Sequence, residues 1–252
     1  MNYNNVPPPL PQANATQARP YQDEWSLSTY VTQTMRKVYV KMFLGLLVTA
    51  ITSWLVLSSE TLMSYFIHVS EEGVQLRGLL DVLFAVELGL VFGLSMAINK
   101  LSPAIASLMF YAYAIINGIT LTPVFLAYTM SSIALTFFVT AGVFLAMSIY
   151  GYTTKSDLTK FGTFMVMALI GLIVCTIINI FWANSVMDWI ISFAGVIIFI
   201  GLTAWDTQKI KQMAQETDEV NVSKLATLGA LSLYLDFINL FLYLLRFLGS
   251  RD

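Results

Sequence analysis

Seven long apolar stretches, each near the ~20 residues needed to cross ~30 Å of hydrocarbon, alternate with short polar connections along the chain. They cover residues 38–57, 79–98, 104–128, 132–150, 161–182, 186–205 and 225–248. Backbone exposed to lipid must satisfy its hydrogen bonds within its own segment, and no run shows the ~10-residue apolar/polar alternation of a membrane strand. The pattern therefore predicts an all-α membrane protein with seven transmembrane helices, forming one domain over residues 25–252. Residues 1–24 are different: Pro7, Pro8, Pro9, Pro11 and Pro20 stand among Asn and Gln. They lack the basic-then-apolar order of a signal peptide and predict a disordered tail.

Composition agrees with lipid as the main solvent. The 252 residues are 57% hydrophobic and 11% charged, with mean hydropathy +0.73. A soluble domain carries roughly a quarter charged residues. A net charge of -2 with no basic run points away from nucleic acid. One cysteine, Cys175, and one histidine, His68 in a predicted loop, leave no basis for a disulfide or a Cys/His metal centre. No cofactor is expected.

Charge in the connections predicts orientation. Arg19, Arg36, Lys37, Lys41, Lys100, Lys155, Lys160, Lys209, Lys211 and Lys224 fall on the side of the N-terminus, against Arg77, Arg246 and Arg251 on the other. The expected protein is a multi-pass membrane protein with the N-terminus cytosolic and the C-terminus outside.

Ionisable residues within spans are costly and usually face the bundle or a wet cavity. Three stand out: Glu87 in the second span, Asp206 at the end of the sixth and Asp236 in the seventh. In the seventh, Gly229, Ser232, Asp236, Asn239, Tyr243 and Arg246 follow steps of three and four and share one helical face. In the sixth, Asp188, Ser192, Gly195, Phe199, Thr203 and Asp206 form a similar stripe. Two adjacent helices with such faces are expected to bury them together. Ser192, Ser232, Thr203 and Asn239 read as interhelical hydrogen-bonding groups, whereas two carboxyls, at ~2.5–3.5 kcal/mol each on insertion scales, are more than adhesion needs. Arg246 reads as an interfacial anchor, with a salt bridge at the outer mouth as the other reading. Gly89 and Gly93 form a GxxxG close-packing motif, and Pro123, with Asn117 and Gly118, predicts a kink in the third span.

Four stretches together resemble the Bax inhibitor-1 (transmembrane Bax inhibitor motif) family, in its bacterial branch. They are Asn117-Gly118-Ile119-Thr120-Leu121-Thr122-Pro123, Tyr150-Gly151-Tyr152-Thr153-Thr154-Lys155-Ser156-Asp157-Leu158, Gly201-Leu202-Thr203-Ala204-Trp205-Asp206-Thr207-Gln208, and the run from Gly229 through Asp236 to Phe241. The resemblance covers about residues 35–249. It implies six helices surrounding a central C-terminal helix and a pH-sensitive calcium leak, with Asp206 and Asp236 as a paired sensor and gate and as candidate calcium ligands. Glu87, Asn239, Thr203 and Ser232 are then candidates for the ion pathway or for support of the pair. The chain departs from the family in one respect. Met96, Ala97 and Ile98 occupy the region where some members carry a basic residue that latches onto a sensor aspartate, and the nearest cation is Lys100.

Two close carboxyls cannot both ionise cheaply, so they share a proton and titrate as a pair. The expected partners are the lipid bilayer, calcium ions, protons and other membrane proteins. Spacing leaves a difficulty: from the connection lysines at ~1.5 Å per residue, Asp236 lies ~18 Å deep but Asp206 only ~5 Å. They meet only if the sixth helix continues past Lys209 and Lys211. An enzyme is not expected, because the Gly-x-Gly-Asp and Pro-Ala-Leu marks of intramembrane aspartyl proteases are missing: Leu233-Tyr234-Leu235 precedes Asp236. The alternatives are a membrane-embedded regulator of proteases or of stress and cell-death machinery, and a proton-coupled transporter.

Overall fold

In the computed structural model, which describes residues 21–70, 73–76, 78–98, 100–216 and 221–250, every predicted apolar stretch is helical. The first span lies in α1 (Tyr21–Ser58), the second is α3 (Gly78–Ala97), and the third is divided between α4 (Pro103–Thr120) and α5 (Thr122–Ala127). The fourth to seventh are α6 (Met130–Thr153), α7 (Thr159–Trp182), α8 (Ser185–Glu216) and α9 (Val222–Leu248). A short helix, α2 (Glu60–Phe66), and an antiparallel pair, β1 (Ile67–Ser70) and β2 (Gly73–Leu76), occupy the connection between the first and second spans. His68, expected in a loop, lies in β1 opposite Gln75. The expected tail, 1–24, lies outside the described residues except for its last four positions, which begin α1.

Local chemistry sets the helix ends. Ser102 accepts a hydrogen bond from Ile105 N–H at 3.3 Å ahead of Pro103, and Thr129 accepts one from Ser132 N–H at 3.3 Å. Pro123 has no N–H to offer the carbonyl one turn back, and the third span breaks at Leu121 rather than merely bending. Between α7 and α8 the chain reverses through Ala183 in the left-handed region (φ 48°). Asn184 Oδ1 then accepts from the amides of Val186 and Met187 to start α8.

The last helix is the most enclosed: 67% of its apolar window is buried, against 44% or less for the other spans. It packs chiefly on α8, α1, α6 and α4, while α3 and α7 pack mainly on α4 and α8. Only 17% of the window is buried in each of those two outer helices. Phe110, Tyr113 and Tyr234, and separately Phe144 and Phe237, fill the interior with edge-on ring contacts.

Close helix approach does not occur at the GxxxG motif. A Cβ on Gly89 would meet nothing within 4 Å, and one on Gly93 only Met109 Cε at 3.6 Å. That motif looks outward because α3 turns its Glu87 face, not its glycine face, to the bundle. The close approaches are elsewhere. A Cβ on Gly118 would stand 2.6 Å from the carbonyl oxygen of Thr49, and one on Gly195 would stand 2.6 Å from the ring of Tyr243. Gly118→Ala should therefore lower stability by roughly 1–3 kcal/mol, the usual range for overpacking. Gly89→Ala should stay within about 0.5 kcal/mol. Thermal unfolding in detergent compares the two.

Candidate functional site

The polar stripes of α8 and α9 face each other. Gly195 receives the Tyr243 ring, which stacks on Phe199 at 5.8 Å between centroids, and Gly229 receives Ile210. Thr203 is fully buried, its hydroxyl bonded to the Phe199 carbonyl at 2.7 Å. Asn239 donates to the Leu235 carbonyl at 2.8 Å, and Ser232 is half-buried beside the pair's helix turn. Within this interface the carboxyls of Asp206 and Asp236 lie within hydrogen-bonding reach of each other. Asp236 is 4% exposed, and among the described residues no N–H or O–H reaches its Oδ2. Two carboxylates offer each other only acceptors, so a bond between them requires a shared proton.

The depth difficulty resolves through the length of α8. Its 32 residues span ~48 Å, well beyond the hydrocarbon, and the helix continues ten residues past Asp206 to Glu216. The lysines on this extension are accommodated without interrupting it. Lys209 Nζ lies 4.8 Å over the Trp205 ring, and Lys211 donates to the Tyr152 carbonyl at 2.7 Å. Gln208 ties the preceding connection to α8, accepting from Leu158 N–H and donating to the Ser156 carbonyl, each at 2.8 Å. In that connection Asp157 accepts from the amide and hydroxyl of Thr159, and these bonds hold its carboxyl below the ordinary carboxylate range. The basic latch seen in some relatives of the resembled family has no counterpart on α3, where Met96 is 82% exposed and Lys100 lies at the surface. Lys41 on α1 does enter the bundle, but its partners are the hydroxyls of Ser107 (2.7 Å) and Thr227 (2.6 Å).

Glu87 belongs to a different cluster. Its Oε1 accepts from Asn117 Nδ2 at 3.2 Å and Thr120 Oγ1 at 2.8 Å. Asn117 Oδ1 accepts from the Tyr234 hydroxyl at 2.9 Å, which lies 2.6 Å from Thr49 Oγ1. Every member is buried. The cluster links α3, α4, α9 and α1 on the side of α9 facing away from Asp236, since positions two apart on a helix point in nearly opposite directions. In the sequence Asn117 reads as part of a kink, Tyr234 only as one residue of the run that resembles the family, and Thr49 carries no signal. A tyrosine or threonine in an apolar span looks like packing until its hydroxyl is seen to have a partner.

At the end of the bundle away from the lysines, a cavity of about 450 Å³ is lined by Tyr128, Thr176, Asn239, Tyr243 and Arg246. Another, of about 400 Å³, is lined by Asp188, Ser192 and Arg246. Asp188 also accepts from Asn179 Nδ2 at 2.6 Å. Arg246 thus lines both cavities, with its guanidinium 6.0 Å from the Tyr243 ring. The first cavity reaches Asn239, one helical turn from Asp236. Among the described residues no third acidic, cysteine or histidine side chain completes a metal cluster with the aspartates. A hard cation preferring six to eight oxygens would take most of them from water.

A family model described as inhibitor of apoptosis-promoting Bax1 matches residues 31–252. An inner membrane protein of Escherichia coli K12, YbhL, is 44% identical over 228 residues, covering 89% of this chain and 93% of the relative. Uncharacterised proteins of Borreliella burgdorferi and Rickettsia prowazekii are each 41% identical, over 220 and 219 residues, covering 86% of this chain and 91% and 89% of theirs.

Tyr234→Phe leaves the ring in place but removes the donor to Asn117. It should destabilise the protein by about 1–3 kcal/mol, the cost of an unsatisfied buried acceptor. The shift of the thermal midpoint in detergent, with helicity followed by circular dichroism, measures it.

Proposed function

Because the chain belongs to the Bax inhibitor-1 family, we propose that it is a pH-sensitive calcium leak pathway gated by Asp206 and Asp236. The observation that carries this reading is a pair of carboxyls in bonding reach at the α8–α9 interface, one buried with an oxygen that no N–H or O–H among the described residues reaches. With one proton shared, the pair forms a short hydrogen bond and holds the two helices together at that level. Without the proton, two negative charges face each other in a low-dielectric setting and repel. The interface then loosens and up to four carboxylate oxygens become available to a divalent cation. The cavity between Arg246 and Asn239 supplies the approach from one end, and partly exposed Asp206 faces the other. Glu87 braces the packing behind α9 in this reading, while Thr203 and Ser232 shape the pair's surroundings. The role is non-catalytic.

The sign follows from the proton count. Calcium flux into proteoliposomes should rise as pH increases and the pair loses its proton. Asp206→Asn and Asp236→Asn should each flatten the pH dependence, because an amide facing a carboxyl neither shares that proton nor creates the paired charge. Unchanged pH dependence in both single variants would remove the basis for the sensor. The competing reading, an adaptor for membrane proteases or stress machinery, predicts instead that deleting residues 1–24 abolishes regulation while flux stays intact.

In this reading the lysine-rich end faces the cytosol, as the excess of Lys and Arg there supports. In a Cys175→Ser background, Ser250→Cys should react with a membrane-impermeant maleimide added to intact spheroplasts. Ser156→Cys should react only after lysis; the reverse pattern would invert the orientation.

A further inference from the structure

Helices α1 and α6 diverge along one side of the bundle and leave a groove of about 740 Å³ whose walls are almost wholly apolar. Phe144 and Phe237 lie along it, and at the lysine-rich end the Thr32 hydroxyl and Tyr152 hydroxyl bridge the two helices at 3.3 Å. Along α6 the lining runs from Phe137 to Thr153, ~24 Å at 1.5 Å per residue. That exceeds the half-thickness of the hydrocarbon, ~15 Å, so one acyl chain fits lengthwise.

Among the polar groups that interrupt the apolar lining, Arg36 and Ser148 suit a phospholipid. Arg36 stands at the mouth, exposed, with no carboxylate partner among the described residues. Lys211 lies just behind the mouth, 4.9 Å from the Tyr152 ring. Deeper in, Ser148 is 4% exposed, lines the groove, and its hydroxyl has no hydrogen-bond partner. A buried hydroxyl left unpaired is uncommon, and one that lines a groove has its proton to offer an acceptor lodged there. We propose that this groove binds one anionic phospholipid, with its phosphate on Arg36, an ester carbonyl accepting from Ser148, and an acyl chain along α6 against Phe237. A net anionic headgroup is specified because the charged side chain that lines the groove among the described residues, Arg36, is positive, and guanidinium pairs with phosphate oxygens through two parallel bonds.

Native mass spectrometry of the full-length chain, delipidated and then supplied with phosphatidylglycerol or phosphatidylcholine of identical acyl chains, tests the proposal. The wild type should retain one phosphatidylglycerol in preference to phosphatidylcholine. Arg36→Gln should reduce that retention about fivefold, the worth of one cationic side chain near an anionic lipid surface. Ala141→Trp, which fills the groove, should abolish it. Equal retention of both lipids by the wild type, or Ala141→Trp without effect, would mean ordinary boundary lipid and overturn the site. A photoreactive acyl chain on phosphatidylglycerol gives a reading on the unmutated protein. Labelling concentrated in 137–149 and at Phe237 supports the site, whereas labelling spread over the outer faces of α3 and α7, or capture of a second copy of the chain in the groove, contradicts it. Ser148→Ala should raise the thermal midpoint without lipid and reduce the further rise on adding phosphatidylglycerol; an unchanged lipid-induced rise would remove Ser148 from the site.

Discussion

A carboxyl group placed among hydrocarbon must find a partner, and in this protein the nearest partner of one aspartate is another. Asp236 sits almost fully buried on the most enclosed helix, and Asp206 on α8 is the group beside it. Much of the architecture can be understood as what is needed to bring those two positions level. Helix α8 continues ten residues past Asp206 instead of ending there, which keeps Asp206 within the bundle beside Asp236. Its lysines lie against Trp205 and Tyr152, and small residues at Gly195 and Gly229 let the two stripes close.

The same helix carries a second commitment on its far side. Tyr234 is fixed by Asn117 and Thr49, and through Asn117 it is connected to Glu87. These bonds anchor α9 to α1 and α4, so a change at the α8 interface works against a helix that is already held from behind. Separation of α8 from a stationary α9 is then the less costly movement, because it leaves a fully satisfied polar network undisturbed.

The membrane class and the seven spans were legible in hydropathy alone, since length and apolar content leave few alternatives in lipid. The α8–α9 stripes were legible too, through the steps of three and four between Gly229 and Arg246. Other features depended on three-dimensional facts that periodicity does not carry. The GxxxG motif at Gly89 and Gly93 promised close packing, but a pattern of small residues does not say which face a helix turns inward, and Glu87 decided that. Likewise the span boundary at Trp205 followed the loss of hydropathy, whereas the helix follows its hydrogen bonds and continues to Glu216. The hydroxyls of Tyr234 and Thr49 were invisible because aromatic and β-branched residues are equally at home in an apolar core.

The costly polar groups also pair in a recurring way: Glu87 with Asn117 and Thr120, Asn179 with Asp188, and Asp206 with Asp236 each join one helix to the span that follows it. During biosynthesis a span emerging from the ribosome is soon followed by the one that satisfies it. Each of these pairs can leave the translocon as a helical hairpin whose carboxyl or amide is already bonded, so these side chains do not have to wait in lipid for a distant part of the chain.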